Sequence, residues 1–516
     1  MSRALLTLAL VVLSVSCASP PAPVVPPPPA PTASQAPAAP PVDPLGPRPE
    51  PPMAAAFLPP TPAVFTATGG LTVWLVERHE IPLVACQIAV PVGAASDPKG
   101  KGGLAYATAN LLDRGAGGRG AIEMARALDD LGARVGTDAN ADASFVSLTV
   151  LKSHLREAFA LFGDVVARPR LEPAELRRVK ELWINELVQR QKDPDATARV
   201  VFRAALFGVD HPYGHPWDGT LESARAVGLD DIVRFYASAW RPDQATLVCA
   251  GDVTRAELEP LLDASFKSWR TPAGKPRPPL VPAAPKGPWP RVVLVDRPDA
   301  PQAVVAALRP GVAASNPLTP ALQRVNAAIG GSFTSRLNQD LREKRGLTYG
   351  AQSRFSVSRG PGQVVAWADV VTDKTGEALA AMLSDLHDFA AAGLTDDEVG
   401  KTRSQARADL VSGYESVEGI VGRLAADASL GLAADFEARA SEARDSASKA
   451  DLDALARDYF GPENAVLVVV GPRTTVQPML EKLGLPAPQL RDAEGAVVTG
   501  GKPTEKPVPG PGGFRE

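Results

Sequence analysis

Residues 73–82 read VWLVERHEIP, and residues 292–301 read VVLVDRPDAP at an offset of 219 positions. Further along, PDQATLVCAGDV at residues 242–253 is echoed by PENAVLVVVGPR at residues 462–473, at an offset of 220. Similarity at both ends of two segments, each about 190–200 residues long, is typical of a duplicated domain. The sequence therefore predicts two homologous domains in tandem.

The apolar pattern within each copy predicts a mixture of strands and helices. The first copy opens with two apolar runs, LTVWLVE and PLVACQIAV, and SFVSLTVL at residues 144–151 alternates as half-buried strands do. Long helical stretches follow at residues 153–167 and 173–192. Because strands and helices do not follow a strict βαβ order, we predict an α+β fold in which each domain is a mostly antiparallel sheet covered by helices.

Proline-rich stretches divide the chain. Many of the 52 prolines crowd near the two ends and between the two copies, and such segments bury too little apolar surface to fold. The predicted order is a lipoprotein signal peptide (1–17), a Pro/Ala-rich tether (18–63), a first domain (64–271), a Pro-rich linker (272–290), a second domain (291–485) and a disordered tail (486–516).

The N-terminal stretch, MSRALLTLALVVLSVSC, has the features of an export signal. Arg3 is its positive charge, and the apolar run 4–15 is too short to span a bilayer comfortably. The final SVSC resembles a bacterial lipoprotein box, with Ser14 where an aliphatic residue is usual, so we expect a lipid on Cys17. An ordinary cleaved signal peptide is the alternative. The expected location is the bacterial cell envelope, lipid-anchored and facing the periplasm.

The two remaining cysteines, Cys86 and Cys249, both lie in apolar runs. Buried, reduced cysteines are the favoured interpretation. Export also permits a disulfide, and the sequence does not show whether the two side chains are close. The formal net charge is −4, so no basic excess points to nucleic acid, and none is expected as a partner.

The stretch GGLAYATANLL at residues 102–112 carries the first chemical signal. It resembles the helix of insulinase (pitrilysin) type peptidases, in which His-x-x-Glu-His follows a Gly-Leu-Ala start. There two His four residues apart bind zinc from one helix face, and the Glu activates the zinc-bound water. The corresponding residues here are Tyr106, Ala109 and Asn110, so the resemblance implies a degenerate zinc motif. Tyr and Asn are poor zinc ligands beside imidazole, and Ala cannot accept a proton.

The resemblance also places one remaining ligand. The family's third ligand is a Glu on a helix about 75 residues downstream, and Glu186 lies 76 positions after Asn110. One carboxylate does not hold zinc, and a Glu in a charged helix is more often a solvated residue. His211 and His215 are four apart, but Pro212, Gly214 and Pro216 exclude a helix. This loop, HPYGHPWDG, resembles a structural loop of the family. No metal is expected in this chain.

The second copy carries GGSFTSRLNQDLREKRGLTYGAQS at residues 330–353. It is similar to the family's second-domain pattern, in which an Arg and a Tyr seven residues apart reach across to the zinc-bearing domain. These are Arg342 and Tyr349 here. Arg can hold a peptide carbonyl, and a Tyr hydroxyl can donate to the oxyanion formed during hydrolysis. The plainer alternative is that Arg342 makes a surface ion pair and Tyr349 half-fills a core.

Together these residues imply a non-catalytic subunit. Some members of the family work as pairs in which one chain binds zinc and the other supplies Arg and Tyr. The resemblance therefore implies a heterodimer with a zinc-bearing insulinase-type subunit, unfolded peptides as substrates, a membrane attachment through the lipid, and zinc in the partner only. A peptide-binding or scaffold lipoprotein of the envelope is the second possibility. A self-sufficient hydrolase is the third, although no alternative catalytic cluster supports it.

Overall fold

The computed structural model describes residues 57–274, 279–283 and 285–499. The predicted signal peptide, Cys17 and most of the tether lie outside these residues. Within the described ranges no helix is both long enough and apolar enough to cross a membrane.

The first copy contributes one large mixed sheet. Its strands run in the spatial order β1-β2-β8-β3-β7-β6, and every neighbouring pair is antiparallel except β2 with β8. A short pair, β4 and β5, stands apart. The strands are β1 (Ala63–Thr66), β2 (Thr72–Glu77), β3 (Leu83–Val90), β4 (Gly115–Ala116), β5 (Arg119–Gly120), β6 (Arg134–Ala139), β7 (Ser144–Leu151) and β8 (Thr246–Gly251).

The second copy repeats this arrangement. Its sheet has the order β11-β12-β10-β13-β9-β14, in which β9 and β13 are parallel as β2 and β8 are. The equivalent strands thus occupy equivalent places, which confirms the predicted α+β fold with two homologous, mostly antiparallel sheets. The strands are β9 (Val292–Asp296), β10 (Gln302–Pro310), β11 (Thr348–Ser356), β12 (Gln363–Val371), β13 (Val466–Gly471) and β14 (Gln489–Arg491).

Helices cover both sheets. Those of the first copy are α1 (Leu104–Leu112), α2 (Ala121–Asp130), α3 (Leu155–Ala167), α4 (Pro173–Lys192), α5 (Pro194–Phe207), α6 (Leu221–Ala226), α7 (Leu229–Ala239) and α8 (Arg255–Phe266). Those of the second are α9 (Thr319–Ile329), α10 (Thr375–Ala392), α11 (Asp396–Gly413), α12 (Val417–Ser429), α13 (Phe436–Ser446), α14 (Lys449–Phe460) and α15 (Arg473–Lys482).

Each copy contributes one helix that packs on the sheet of the other copy. One face of each sheet packs on helices of its own copy. The opposite face of the second sheet is covered by α5 of the first copy, through apolar residues that include Val201 and Phe202. The opposite face of the first sheet is covered by α12 of the second copy, through Ile420 and Leu424. Burial of apolar surface therefore couples the folding of one copy to that of the other.

A buried polar contact also joins the copies. The Tyr213 hydroxyl donates to Asp142 Oδ1 at 2.5 Å and accepts from the Gly360 amide at 2.9 Å. The Arg359 amide donates to the other oxygen of Asp142 at 3.0 Å. Asp142 and Tyr213 are 5% and 2% exposed, so these bonds are shielded from water.

The favoured interpretation of the cysteines was wrong. Cys86 on β3 lies directly opposite Cys249 on β8, and the two form a disulfide with 4.1 Å between their Cα atoms. Both are buried, as the apolar runs predicted. The pairing follows from strand order, because residues 163 apart in sequence become cross-strand neighbours only when β3 and β8 pair.

The predicted tail is ordered in its first part, so the expectation of disorder was wrong there. Residues 489–491 form β14, which pairs with the edge of the second sheet at β9. The chain then turns tightly, because Asp492 Oδ1 accepts from the amides of Glu494 and Ala496 at 3.0 and 2.9 Å. Glu494 Oε1 accepts from the Leu221 amide at 3.0 Å, so this turn reaches the first copy.

Candidate functional site

Helix α1, which carries the degenerate motif, is fixed at its N-terminus by one carboxylate. Asp97 accepts hydrogen bonds from the amides of Gly103, Leu104 and Ala105 at 2.7, 3.1 and 3.0 Å. These are amides that an isolated helix leaves without a partner. Burial raises the pKa of Asp97 to about 7 against the lowering effect of the three amides. Asp97 was not among the predicted site residues, although an Asp shortly before a Gly-Gly helix start is a capping signal.

Gly103 lets α1 begin where it does. Its φ is +84°, and a Cβ added there would lie 2.5 Å from the Trp183 ring and 2.9 Å from the Asp218 carbonyl oxygen. A left-handed backbone and close contact with α4 therefore both require glycine. Trp183, 1% exposed, donates through Nε1 to that same carbonyl at 2.7 Å. The start of α1 is thus packed against α4 and the loop that follows α5.

The structure brings Tyr106 and Glu186 together, and Asn110 lies on the same helix as Tyr106. Tyr106 and Asn110 lie four residues apart on α1, and so on one face. The Tyr106 hydroxyl donates to Glu186 Oε2 on α4 at 2.8 Å, while Asn110 Nδ2 turns back to the Tyr106 carbonyl at 2.9 Å. Ala109 is fully buried. Helices α1 and α4, which correspond to the helices that carry the zinc ligands in the family described above, therefore face each other. The Tyr106 phenol and the Glu186 carboxylate join them.

Aromatic rings close this position. The Tyr106 ring packs against Trp183 and Trp217, with ring centroids 5.8 and 5.4 Å apart. Neither Trp had been singled out in the sequence, because their approach depends on how α4 and the loop at 208–220 fold over α1. Trp183 is buried and Trp217 is 37% exposed, while Tyr106 is partly exposed and Glu186 is exposed.

Acidic side chains surround the Tyr106 hydroxyl. Burial raises the pKa of Tyr106, and the hydrogen bond to Glu186 and the negative charges of Asp218 and Asp138 raise it further. Burial also raises the pKa of Asp218, which pairs with Arg190. A phenol that keeps its proton is a hydrogen-bond donor to Glu186 and not a phenolate ligand for a metal.

These residues do not fit zinc. Structural and catalytic zinc sites use three or four His, Cys or carboxylate ligands. Here Glu186 is the one residue of that kind among the degenerate positions, and its carboxylate is engaged by Tyr106. No group of three or more His, Cys, Asp or Glu in the described ranges is placed to hold a metal ion.

The second predicted pair occupies an exposed position. Tyr349 lies on β11, the edge strand of the second sheet, and is 89% exposed. The alternative that Tyr349 half-fills a core is therefore wrong. Arg342 lies in a π-helical turn at Asn338–Lys344. Its Nε is 3.3 Å from Glu343 Oε1, and its guanidinium carbon is 4.7 Å from the centroid of the Phe333 ring. Arg342 therefore makes the ion pair that the alternative interpretation predicted, and its partner is the neighbouring Glu343.

The two predicted sites do not meet within the chain. Among the described residues no hydrogen bond or ion pair joins Arg342 or Tyr349 to Tyr106, Asn110 or Glu186. His211, in the loop that also carries His215, makes hydrogen bonds within the fold. His211 Nδ1 accepts from the Tyr213 amide at 3.0 Å, and its Nε2 lies 2.9 Å from the Ala283 carbonyl of the linker.

Comparison with known proteins defines the family. A family model described as "Insulinase (Peptidase family M16)" matches residues 72–207, and one described as "Peptidase M16 inactive domain" matches residues 226–406. Together they match more than half of the chain. The chain belongs to the insulinase family of peptidases, family M16, and contains its inactive domain.

Individual relatives agree with this assignment. The chain is 28% identical over 380 residues to an "uncharacterized zinc protease" of Mycobacterium tuberculosis, covering 73% of this chain and 85% of that one. It is 25% identical over 177 residues to a "non-peptidase homolog" of Helicobacter pylori, covering 34% and 41%. A crystal structure of a peptidase M16 inactive domain from Pseudomonas fluorescens superposes with a TM-score of 0.71 at 23% identity, covering 80% of this chain and 98% of that one. That superposition shows a shared fold.

Proposed function

We propose that this protein is a non-catalytic subunit that completes the active site of a zinc-bearing insulinase-type partner. The observation that carries the proposal is the contrast between its two motifs. The first-copy position is occupied by the Tyr106–Glu186 hydrogen bond and offers no zinc ligand set. The second-copy Tyr349 is 89% exposed on an edge strand and so is available to another molecule.

The proposed chemistry divides the reaction between two chains. Zinc in the partner would polarise the scissile carbonyl of an unfolded peptide and activate the attacking water. Arg342 would hold a neighbouring backbone carbonyl, and the Tyr349 hydroxyl would donate to the developing oxyanion. The outer edge of β11 pairs with no strand among the described residues, so a peptide or the partner can add to it by main-chain hydrogen bonds.

The proposed setting is the bacterial envelope. Lipidation at Cys17 would hold the protein at a membrane with its folded part facing the periplasm. The Cys86–Cys249 disulfide supports this location, because disulfides persist in oxidising compartments. Labelling with a radioactive or alkyne fatty acid, lost on Cys17→Ala, tests the anchor.

The test of function is activity on mixing. The full-length protein is assayed alone and with a homologue from the same source that carries His-x-x-Glu-His, against a quenched unstructured peptide. We expect hydrolysis in the mixture only. Losing one oxyanion donor typically lowers kcat by about 10²–10³-fold, so Tyr349→Phe should reduce the rate by that amount without changing zinc content. Tyr459→Phe makes the same change on α14, outside β11 and outside the Asn338–Lys344 turn, so it is the matched control and should keep full activity.

A second candidate is a peptide-binding scaffold without a role in proteolysis. The similarity to the Helicobacter pylori "non-peptidase homolog" favours it. No hydrolysis in the mixture, together with saturable binding of the peptide by this protein alone, would support the scaffold. Zinc and activity in this chain alone would contradict both candidates.

A further inference from the structure

Strand β11 carries a β-bulge at Tyr349. Its register against β12 shifts by one residue between Thr348 and Ala351. Two β11 residues, Tyr349 and Gly350, therefore lie opposite the single β12 residue Asp369. The strand that takes the place of β11 in the first sheet, β6, pairs with β7 in unbroken register. The second copy therefore has a bulge at a place where the first copy has a regular strand.

The bulge decides which face of the sheet Tyr349 occupies. Thr348 pairs with Val370, and Ala351 pairs with Ala368. Both partners are fully buried in the core of the second copy, and cross-strand partners share a face of the sheet. The intervening Tyr349 lies on the opposite face, where it is 89% exposed. Strict alternation back from Ala351 would instead place position 349 on the core face, so the extra residue is what exposes the tyrosine.

The Thr348 side chain holds the bulge together. A bulge interrupts the ladder, so the backbone groups beside it need other partners. The Thr348 hydroxyl accepts from the Gly350 amide at 3.1 Å and donates to the Asp369 carbonyl at 2.6 Å. The Gly350 carbonyl is a second acceptor, 3.0 Å from the same hydroxyl. One hydroxyl thus ties the extra residue of β11 to the strand beside it.

The other end of the bulge is held by a buried amide. Asn338 is 4% exposed, accepts from the Ala351 amide at 3.3 Å and donates to the Phe333 carbonyl at 2.7 Å. Asn338 also begins the π-helical turn that carries Arg342, whose guanidinium lies over the Phe333 ring. The bulge and the Arg342 turn share this anchor, so the position of Tyr349 is coupled to that of Arg342.

We propose that Thr348 is a positioning residue, whose hydroxyl fixes the bulge that turns Tyr349 out of the core and toward another molecule. Without the hydroxyl, the Gly350 amide and the Asp369 carbonyl lose their partner. Regular pairing then becomes the better arrangement, and it places Tyr349 on the core face. The use of Tyr349 on a substrate rests on the proposed function, whereas its register is a property of this chain alone.

Nitration by tetranitromethane measures the exposure of Tyr349 in the full-length protein without a partner. Peptide mass spectrometry gives the rate at each of the six tyrosines, and the other five are buried or half-buried. We expect Tyr349 to react fastest in the wild type. Thr348→Val should lower its rate about tenfold, because a one-residue slip moves the side chain to the other face. Thr348→Ser keeps the hydroxyl and should keep the rate.

Thr372→Val is the matched control, because that half-buried hydroxyl also donates to a carbonyl, that of Ala300 at 3.0 Å, outside β11 and β12. An unchanged rate in Thr348→Val, or an equal loss in Thr348→Ser, would overturn the role of Thr348. An unfolded variant would reveal itself by faster nitration of the buried Tyr213, and Thr348→Ala then replaces it. The wild type tests the register by itself, since a Tyr349 that reacts no faster than Tyr213 would contradict it.

The mixing assay tests the link to the proposed function separately. Thr348→Val should lower kcat toward the value for Tyr349→Phe with little change in KM, because an oxyanion donor acts in the transition state, and Thr348→Ser should restore kcat. Slower nitration with unchanged hydrolysis would support the positioning role and contradict the use of Tyr349 as a donor. Absence of hydrolysis in every mixture would contradict the proposed function, and the nitration rates would still decide the role of Thr348.

Discussion

The two copies treat the same position of their shared fold in opposite ways. At the offset of 219, Tyr106, Ala109 and Asn110 of α1 correspond to Val325, Ala328 and Ile329 of α9. Those second-copy residues are 0%, 5% and 0% exposed and belong to the hydrophobic core. The first copy therefore has a polar position here, and the second has filled the corresponding position with apolar side chains.

The second motif shows the reverse. The strand that takes the place of β11 in the first sheet is β6, which reads RVGTDA and carries no tyrosine. In the second copy this region presents Tyr349 to solvent. The two copies thus share a strand order and differ in the side chains that they carry at equivalent places.

The largest expected effect tests whether α1 and α4 of the first copy are held rigidly together. Gly103→Ala should destabilise the protein by about 2–4 kcal/mol, because the positive φ is strained for alanine and the Cβ meets the Trp183 ring. Urea unfolding measures the change. Gly118→Ala is the control, since a Cβ there meets nothing within 4 Å. Equal stability of the two variants would mean that α1 and α4 shift freely.

The next effect concerns the cap of α1. Asp97→Ala should cost about 1–3 kcal/mol, since three amides lose their partner. Asp97→Asn keeps one acceptor oxygen and should cost less. Urea unfolding of both variants is the measurement, and a larger loss for Asn than for Ala would contradict the capping role.

Replacing Asp427, a buried carboxyl of the second copy, should stabilise the protein at high pH, whereas replacing Asp97 should destabilise it. Burial first, and then the charge of Glu437, raises the pKa of Asp427 to about 8. The folded state then holds a proton that the unfolded chain has lost between about pH 4 and pH 8, so this group lowers stability as pH rises through that window. Asp427→Asn should therefore gain on the order of 1 kcal/mol over wild type at pH 8.5. At pH 4 it should gain little.

Unfolding curves at the two pH values distinguish this from a simple loss of contacts. A substitution that only removed packing would lower stability equally at both. A constant difference between Asp427→Asn and wild type across pH 4 to 8.5 would therefore refute the raised pKa.

A smaller effect tests the turn that links the copies. Glu494 accepts from the Leu221 amide and from Gln191 Nε2, both at 3.0 Å. Glu494→Ala should lower the free energy of unfolding by about 1 kcal/mol. This is less than the two hydrogen bonds alone would give, because the substitution also removes a partly buried charge. Glu494→Gln should lie between wild type and Ala. Hydrogen exchange at the start of α6 is the direct measurement, and unchanged exchange would show that the turn does not stabilise the first copy.

The smallest expected effect on stability falls on the residues with the largest proposed role. Tyr349→Phe should change the free energy of unfolding by less than about 0.5 kcal/mol, because its side chain is 89% exposed. Thermal unfolding checks this beside the mixing assay. A large loss of stability would mean that an activity defect cannot be assigned to chemistry.

Several features followed from local pattern. The segments that repeat at offsets of 219 and 220 form strands in equivalent places of the two sheets. A repeated apolar pattern produces the same sheet twice. The degenerate residues at 106, 109 and 110 were identified by register within a single helix. Exposure of Tyr349 was left open, because one tyrosine fits both an edge strand and a core, and only the strand order places β11 at the edge.

By itself, the sequence determined the duplication and the α+β class, because both depend on repeated apolar patterns along the chain. It also showed which residues stand at 106, 109, 110, 342 and 349, because those positions depend on spacing within short motifs. Only the tertiary structure decided the Cys86–Cys249 disulfide, the Tyr106–Glu186 hydrogen bond, the packing of α5 and α12 on the sheet of the other copy and the docking of Glu494. Each of these joins residues far apart in the chain. Such contacts are fixed by how strands pair and helices pack, and local residue patterns carry no record of those distances.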